Sequence, residues 1–192
     1  MPQHNADHKT THAAPLQNID NDVIARAKNI RLLILDVDGV LSDGRLYFSN
    51  GGEEIKAFHS LDGHGIKMLQ KTGVDVAIIT GRTSHIVAKR AESLGIKLLI
   101  QGREDKLNAL DELLKKCQYD YSQVAHMGDD YPDLPLIRRV GLGLTTTNAH
   151  YIVKQHSHWC SQQKGGEGAV REACDLLMTA QGSFDKALQD YL

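Results

Sequence analysis

Residues Leu32–Val40 read L-L-I-L-D-V-D-G-V, an apolar run that ends in two aspartates separated by one residue. A continuous apolar run of this kind is typical of a strand covered on both faces, as in a parallel sheet. Similar runs recur downstream, at Val74–Thr80, Ile96–Ile100, Val124–Met127 and Val140–Leu144. Helix-like segments lie between or after these runs, at Gly65–Lys71, Ser84–Leu94, Glu104–Cys117, Leu134–Arg139 and Glu167–Ala180. The alternation predicts an α/β fold with a doubly wound, mostly parallel, Rossmann-like sheet and helices on both faces.

One segment interrupts this alternation after the first strand. Arg45–Ser49 and Glu53–His59 flank the tripeptide Asn50-Gly51-Gly52, which predicts an inserted β-hairpin with a turn of the Asn-Gly type. Upstream, Asp20 or Asn21 is expected to cap a short helix that ends at Lys28.

Residues 1–19 are predicted to form a flexible tail, and residues 20–192 a single domain. The tail carries His4, His8 and His12, whose spacing of four would allow them to chelate a metal ion only if the tail were helical. The tail has no apolar core of the kind that a secretion signal requires.

The composition argues against several classes of function. Lysine and arginine total 22 against 24 acidic residues, a formal charge of −2, so neither nucleic acid nor an anionic membrane is expected as a partner. No apolar run reaches the roughly 18 residues that a membrane span needs. Cys117, Cys160 and Cys174 are odd in number and lack C-x-x-C spacing, which favours packing roles and a cytoplasmic location over disulfides or a zinc cluster.

Strong polar residues stand at the predicted ends of strands and starts of helices. They are Asp36 and Asp38 after the first strand, Thr80 at the end of the second, Lys106 in the helix after the third, and Asp129, Asp130 and Asp133 after the fourth. Each of these residues alone is most often a turn or cap residue. Ligands of open α/β sheets bind beyond the carboxyl ends of the strands, however, so their joint order predicts one site.

The chemistry of these residues indicates phosphoryl transfer. Several carboxylates close together need a cation or shifted pKa values, and oxygen ligands of this kind suit Mg²⁺. Lys106 and Thr80 suit phosphate oxygens, and a free carboxylate beside them could form an aspartyl-phosphate.

The motifs D-V-D-G-V, I-I-T-G-R, the lysine of E-D-K-L, and G-D-D-x-x-D resemble, in this order, the four motifs of the haloacid dehalogenase superfamily, over about residues 30–144. The resemblance implies that Asp36 is the nucleophile and Asp38 the general acid and base. It implies that Thr80 and Lys106 hold the phosphoryl group. It also implies a Mg²⁺ site formed by the Asp36 carboxylate, the Asp38 backbone carbonyl and Asp129. Asp130 and Asp133 are interpreted as groups behind these ligands or as turn carboxylates.

Within the superfamily, the chain resembles the 3-deoxy-D-manno-octulosonate 8-phosphate phosphatases of lipopolysaccharide precursor synthesis over about residues 23–177. The stretches that carry this resemblance are L-I-L-D-V-D-G-V-L-S-D-G, N-G-G-E-E-I-K-A-F, D-G-H-G-I, A-I-I-T-G-R and G-G-E-G-A-V-R-E. The family implies a phosphorylated sugar acid as substrate and a ring-like homotetramer. It also implies that the glycine-rich segment Gly165–Glu172 is a flexible arm that reaches a neighbouring active site.

A cap domain has no room in this chain, because the intervals from Asp38 to Thr80 and from Lys106 to Asp129 are too short. The hairpin is therefore the only candidate lid. One hairpin cannot exclude water from a site alone, so a neighbouring subunit is expected to help and a homo-oligomer is predicted.

The family's substrate contacts fall on several positions of this chain. They are Asp38, His59, Ser60, Leu61, Asp62, Gly63, Lys67, Arg82, Arg90 and Lys106. Basic residues suit a substrate with both a carboxylate and a phosphate, although Lys67 and Arg90 would also fit a solvated helix face. Many family members carry arginine at the position of Leu61, which leaves the substrate open, with His59 or His64 as alternative polar contacts.

Three other functions compete with this interpretation. The same chemistry on a nine-carbon sugar acid 9-phosphate is one. A non-catalytic oligomerisation domain is another, but it would have lost some of the four residues Asp36, Asp38, Lys106 and Asp129. A phospho-acceptor receiver domain also uses aspartate, Mg²⁺, threonine and lysine, but its acceptor does not end the first strand.

Overall fold

The computed structural model of the protein describes residues 18–192. The helices in this part of the chain are α1 Asn21–Lys28, α2 Ser60–Lys71, α3 His85–Ser93, α4 Lys106–Cys117, α5 Leu134–Ile137, α6 Tyr151–His156, α7 Ala169–Ala180 and α8 Phe184–Leu188. The strands are β1 Leu32–Leu35, β2 Tyr47–Phe48, β3 Glu54–Ile55, β4 Asp75–Ile79, β5 Leu98–Ile100, β6 Val124–Gly128, β7 Leu142–Thr145 and β8 Trp159–Cys160. The proposed metal chelation by His4, His8 and His12 lies outside the described residues. Ile19, placed in the predicted tail, already packs against the core.

Six of the strands form one parallel sheet in the order β5-β4-β1-β6-β7-β8. β1 lies inside the sheet, where Leu32 pairs with Asp75 of β4 on one side and with Val124 of β6 on the other. All the residues of β1 are buried, as its continuous apolar sequence requires. The predicted doubly wound parallel sheet is confirmed, and the carboxyl ends of its strands meet at one edge.

The two faces of the sheet bury separate apolar cores. Because side chains alternate along a strand, Leu33 and Leu35 point into one core while Leu32 and Ile34 point into the other. Helices α1, α2, α3 and α7 cover the first core, and α4 with α5 covers the second. The helices on both faces hold the carboxyl edge of β1, β4 and β6 in fixed positions.

Helix α2 begins at Ser60, five residues before the predicted start at Gly65, so His64 lies in a helix rather than in a loop. Glycines at 63 and 65 weaken the helical signal of the sequence. In the structure they allow close packing, because a Cβ at Gly63 would overlap Arg90 and one at Gly65 would crowd Arg171 of α7. Tertiary packing therefore extends the helix over a segment whose local sequence disfavours it.

The end of the chain adds elements that the sequence did not reveal. After β7, the short helix α6 leads to β8, which pairs with β7 through Leu144 and Trp159. Two residues are too few for a hydrophobic pattern to mark a strand. Cys117 and Cys174 pack on the cores, whereas Cys160 in β8 is exposed, so packing explains only two of the three unpaired cysteines.

The predicted hairpin is present but shorter than expected. β2 and β3 pair through Tyr47 with Ile55 and Phe48 with Glu54. The left-handed residue of its turn is Gly52, with φ of +84°, which indicates a longer loop than a two-residue Asn-Gly turn. Among residues 18–192, no helix combines the length and the apolar character needed to cross a bilayer.

Candidate active site

A cleft of about 630 Å³ lies at the carboxyl edge of the sheet, a volume typical of small-ligand sites. Its lining residues are Asp36, Asp38, Gly44, Leu46, Thr80, Gly81, Arg82, Glu104, Lys106, Asp129, Asp130, Pro132 and Asp133. The polar residues that the sequence placed after separate strands therefore come together. The fold does this because β1, β4 and β6 are adjacent and parallel.

Lys106 is the cation at the floor of the cleft. Its Nζ donates to Asp36 Oδ1 at 2.8 Å and to Asp133 Oδ1 at 2.7 Å. All three side chains are less than a tenth exposed. Lys106 is the first residue of α4, so the rigid helix positions its ammonium group. A buried ammonium between two carboxylates is a fixed positive charge at the point where an anionic group would enter.

His126 of β6 lies behind this pair and is fully buried. Its Nε2 lies 3.0 Å from Asp133 Oδ1, and Asp133 Oδ2 accepts hydrogen bonds from the backbone N–H groups of Asp129 and Asp130. Both oxygens of Asp133 therefore serve internal hydrogen bonds. Asp133 holds Lys106 and shapes the loop after β6, a role that fits the predicted position behind the ligands.

Three carboxyl groups of the cleft, those of Asp36, Asp129 and Asp133, have shifted pKa values. Burial raises the pKa of Asp36, the nearby Asp133 carboxylate raises it further, and Lys106 opposes both without cancelling them. Burial, with Asp36 and Asp133 close by, raises the pKa of Asp129 to about 8. Burial also acts to raise the pKa of Asp133, but the hydrogen bonds and charges of His126 and Lys106 outweigh it and hold that pKa below its usual range. The site thus contains more buried carboxylates than Lys106 can compensate.

Three carboxylates, those of Asp36, Asp129 and Asp133, offer oxygen atoms within 4.8 Å of one another. Since Asp133 is already saturated by hydrogen bonds, Asp36 and Asp129 are the two carboxylates that could hold a divalent cation. The loop after β1 approaches them closely: Gly39 has φ of +93°, and a Cβ there would overlap the Asp129 carboxylate. Hard oxygen donors and uncompensated negative charge fit Mg²⁺.

Asp38 lies at the mouth of the cleft, with a side chain 20% exposed. Its Oδ1 is paired with Lys56 Nζ, and its Oδ2 lies 3.7 Å from Arg82 Nε. Thr80 also lines the cleft and is buried, and its backbone N–H donates to Ile100 O at 3.0 Å. The cleft therefore combines acidic and basic side chains with a buried threonine.

Seven of the predicted substrate contacts do not line this cleft: His59, Ser60, Leu61, Asp62, Gly63, Lys67 and Arg90. Asp62 is buried, and its Oδ1 accepts from Arg171 N at 2.8 Å, so it caps the start of α7. Arg90 Nη2 donates to His59 O at 3.3 Å, and its guanidinium lies over the Phe58 ring. Lys67 and Leu61 are exposed on α2.

Four residues near the reactive groups were missed by the sequence interpretation. Leu46 and Glu104 line the cleft, while Lys56 and His126 contact Asp38 and Asp133 from outside it. A lysine in a hairpin and a histidine in an apolar strand have many other uses, so neither carries a local signal. The odd polar residue in the run V-A-H-M-G was the only available clue to His126.

The glycine-rich segment after β8 packs on the loop that follows Asp38. Gly166 N donates to Val40 O at 2.9 Å, and Gly165 N donates to Asn148 Oδ1 at 2.8 Å. A Cβ at Gly165 would overlap the Gly39 carbonyl. In this structure the start of the predicted flexible arm is therefore ordered against its own chain, and its glycines allow close approach of two backbones.

Gly165→Ala is expected to lower the free energy of unfolding by about 2–3 kcal/mol, because the added methyl group forces two packed loops apart. The value of kcat/KM should fall as well, since the displaced Gly39 lies between Asp38 and the Asp129 carboxylate. Urea unfolding and an activity assay measure the two effects. Gly51→Ala is the matched control, because its nearest neighbour is Ser49 Oγ at 3.6 Å. A Gly165→Ala protein indistinguishable from this control would contradict the prediction.

A family model of haloacid dehalogenase-like hydrolases matches residues 98–172, a range that includes Lys106 and Asp129. The 3-deoxy-D-manno-octulosonate 8-phosphate phosphatase KdsC of Yersinia pestis is 50% identical over 169 residues, which are 88% of this chain and 90% of that protein.

Solved structures show the same similarity in three dimensions. The Yersinia pestis 3-deoxy-D-manno-octulosonate 8-phosphate phosphatase has a TM-score of 0.85 at 50% identity and covers 86% of this chain and 89% of its own. The Moraxella catarrhalis phosphatase of the same name has a TM-score of 0.88 at 42% identity and covers 90% of this chain and 99% of its own. That second structure contains a magnesium ion, a phosphate ion and KDO.

Proposed function

Because the chain belongs to the family of 3-deoxy-D-manno-octulosonate 8-phosphate phosphatases, within the haloacid dehalogenase-like hydrolases, we propose that it hydrolyses 3-deoxy-D-manno-octulosonate 8-phosphate in a Mg²⁺-dependent reaction. The products are the free sugar acid, a precursor of lipopolysaccharide, and inorganic phosphate. The observation that carries this proposal is the buried Asp36 carboxylate, 2.8 Å from the Lys106 ammonium at the floor of the cleft.

Asp36 is the proposed nucleophile and Asp38 the proposed general acid and base. In the first step an Asp36 oxygen attacks phosphorus and the bond from phosphorus to the sugar oxygen breaks. The sugar oxygen keeps the electron pair and takes a proton from Asp38. In the second step water attacks the aspartyl-phosphate and gives a proton to Asp38, which releases inorganic phosphate and restores the Asp36 carboxylate.

The anionic substrate needs positive charge to approach Asp36. Lys106 and Thr80 are the proposed partners of the phosphoryl oxygens, since one offers a fixed ammonium and the other a hydroxyl donor. Mg²⁺ would be held by the carboxylates of Asp36 and Asp129 and by the Asp38 backbone carbonyl. When bound, it neutralises charge between the nucleophile and the phosphate. The raised pKa values of both carboxylates support this assignment, because they mark charge that the protein alone does not compensate.

A homo-oligomer, with a tetramer as the specific proposal, would complete the cleft. The hairpin exposes Leu46, Phe48 and Ile55, each about half exposed or more, and apolar patches of this kind indicate protein contacts. The predicted substrate contacts in the segment 59–63, with Lys67 and Arg90, lie outside their own cleft. We propose that the exposed residues among them, Ser60, Leu61 and Lys67, serve a neighbouring subunit's cleft in the cytoplasmic oligomer, while Arg82 serves its own. Asp62 and Gly63 are buried within their own subunit and support this segment from behind.

A nine-carbon sugar acid 9-phosphate is the alternative substrate, and one difference from the family keeps it open. Leu61 stands where many family members carry arginine, and its side chain is exposed rather than packed into the core. A position that offers an apolar surface in place of a guanidinium changes how the sugar end of the substrate is bound. It leaves the reaction at phosphorus unchanged.

The test is phosphate release, with Mg²⁺ or with EDTA, from sugar acid phosphates of eight and nine carbons and from simple sugar phosphates. Selective, metal-dependent release from the eight-carbon substrate is the expected result. Preference for the nine-carbon acid would keep the mechanism and replace the substrate. A folded protein that releases no phosphate from any of them with Mg²⁺ present would contradict the phosphatase proposal and favour a non-catalytic oligomerisation domain.

A further inference from the structure

Strand β3 of the hairpin is followed by a lysine that contacts Asp38, in the loop after β1. Lys56 directly follows this strand, its Nζ pairs with Asp38 Oδ1, and its side chain is 1% exposed. A lysine is seldom this deeply buried unless its ammonium has a specific partner. Here the partner is a carboxylate at the mouth of the cleft, supplied by a different part of the chain.

Glu54 fixes the position of Lys56. Its Oε2 accepts from Ser84 Oγ at 2.7 Å, and its Oε1 accepts from Arg82 Nη2 at 3.1 Å. Glu54 Oε1 also lies 3.3 Å from Lys56 Nζ. Because residues two apart share a face of a strand, Glu54 and Lys56 both point from the hairpin toward the loops after β1 and β4. The hairpin is thus attached to both loops by charged groups.

Asp38 has few other constraints on its carboxylate. Ser42 Oγ lies 3.4 Å from Oδ1, at the limit of a hydrogen bond, and Arg82 Nε lies 3.7 Å from Oδ2. Lys56 therefore supplies the one close contact that holds this side chain in place among the described residues. A general acid must lie within hydrogen-bond reach of the oxygen that it protonates, so its rotamer matters to the rate.

We propose that Lys56 is a positioning residue, which holds the Asp38 carboxyl group at the oxygen of the leaving alcohol and so makes the hairpin part of the catalytic geometry. This inference rests on the proposed role of Asp38 as general acid. The proton moves from Asp38 to the sugar oxygen as its bond to phosphorus breaks, and Lys56 itself neither gives nor takes a proton.

Substrates with different leaving groups distinguish a positioning role of Lys56 from a role in which Lys56 only anchors the hairpin. A sugar alkoxide is a poor leaving group that needs the proton, whereas p-nitrophenolate leaves as a stable anion without one. For both substrates, kcat/KM reports only the steps up to and including cleavage of the bond between phosphorus and the leaving oxygen, because this is the first irreversible step. The later hydrolysis of the aspartyl-phosphate therefore does not affect kcat/KM. A misplaced general acid should therefore lower kcat/KM for the sugar phosphate and leave kcat/KM for p-nitrophenyl phosphate nearly unchanged.

The experiment compares kcat/KM for 3-deoxy-D-manno-octulosonate 8-phosphate and for p-nitrophenyl phosphate on the same preparation of the full-length protein with Mg²⁺. Lys56→Met should lower the first by about 10- to 100-fold, a part of the roughly 10²–10⁴-fold that acid–base catalysis supplies, and the second by less than about 3-fold. Lys115→Met, at the far end of α4, is the control for loss of a lysine and should change neither value.

The ratio of the two values does not depend on the fraction of folded enzyme. If Lys56→Met does not fold, Lys56→Gln gives the same comparison with a shorter, polar side chain. An equal loss on both substrates, or no loss on either, would overturn the positioning role. The Asp38→Asn variant shows whether such a result contradicts the role of Lys56 alone or also the proposed role of Asp38. If Asp38→Asn too lowers kcat/KM equally for both substrates, Asp38 is not the general acid.

Discussion

Asp36→Asn is expected to abolish turnover and to leave the fold intact. The amide cannot attack phosphorus as a carboxylate does, so phosphate release should fall by a factor on the order of 10⁴ to 10⁶, the range seen when members of a catalytic triad are removed from other hydrolases. The amide oxygen can still accept the hydrogen bond that Lys106 Nζ donates to Asp36 Oδ1. The change is nearly isosteric, so it leaves no cavity.

The stability of the Asp36→Asn variant should reflect the loss of a buried negative charge at this position. Burial and the Asp133 carboxylate disfavour the ionised form of Asp36, so in EDTA near pH 8 the neutral asparagine variant should be at least as stable as the wild type. Added Mg²⁺ should stabilise the variant less, because one ligand is lost. Thermal unfolding with EDTA and with Mg²⁺ measures both effects. Asp190→Asn, which alters an exposed pair with Lys71, is the control.

Full activity in Asp36→Asn would contradict the assignment of the nucleophile. Loss of activity together with loss of the folded state would leave the chemistry unproved, so the unfolding measurement is an essential part of the test. The predicted combination is an inactive enzyme whose stability without metal is retained.

The fold was predictable because its signals are local. The continuous apolar run of β1 is typical of strands buried on both faces, and the polar residues that end β1, β4 and β6 must meet when the strands are parallel and adjacent. That argument placed Asp36, Thr80, Lys106 and Asp129 in one cleft before any contact was known. The short strand β8 was not predicted, because two residues are too few to show the alternating hydrophobic pattern of a strand.

Contacts between distant segments carried no such signal. Lys56 reaches Asp38 only because the hairpin folds back over the sheet, and Asp62 caps α7, which lies more than a hundred residues further along the chain. Gly165 looked like part of a flexible arm, yet its missing side chain serves close packing on Gly39. Sequence patterns report the periodicity of one segment, and these roles depend on which other segment lies beside it.

Lys106→Met should damage both catalysis and stability. The ammonium contacts Asp36 and Asp133, and removing one partner of a buried ion pair costs about 3–5 kcal/mol because the remaining charges stay buried. Loss of a fixed charge at the phosphoryl group should reduce kcat by about 10²–10³-fold. Methionine keeps the length of the side chain, so cavity formation contributes little. Lys115→Met again controls for loss of a lysine.

The destabilisation should grow with pH, and this sign distinguishes electrostatics from packing. Without Lys106 the pKa of Asp36, already raised by burial and by Asp133, rises further, and Asp133 loses one of the groups that lower its pKa. The carboxyl groups of the folded variant then bind more protons than those of the folded wild type, while the carboxyl groups of the two unfolded chains bind equal numbers. The proton on Lys106 is present in both the folded and the unfolded wild type, so it does not affect the comparison. The stability of the variant relative to wild type therefore falls as pH rises from the usual carboxyl pKa through the raised ones. Urea unfolding in EDTA at pH 5.5 and pH 8 should show the larger loss at pH 8; equal losses at the two values would mean that Lys106 stabilises the fold by packing rather than by its charge.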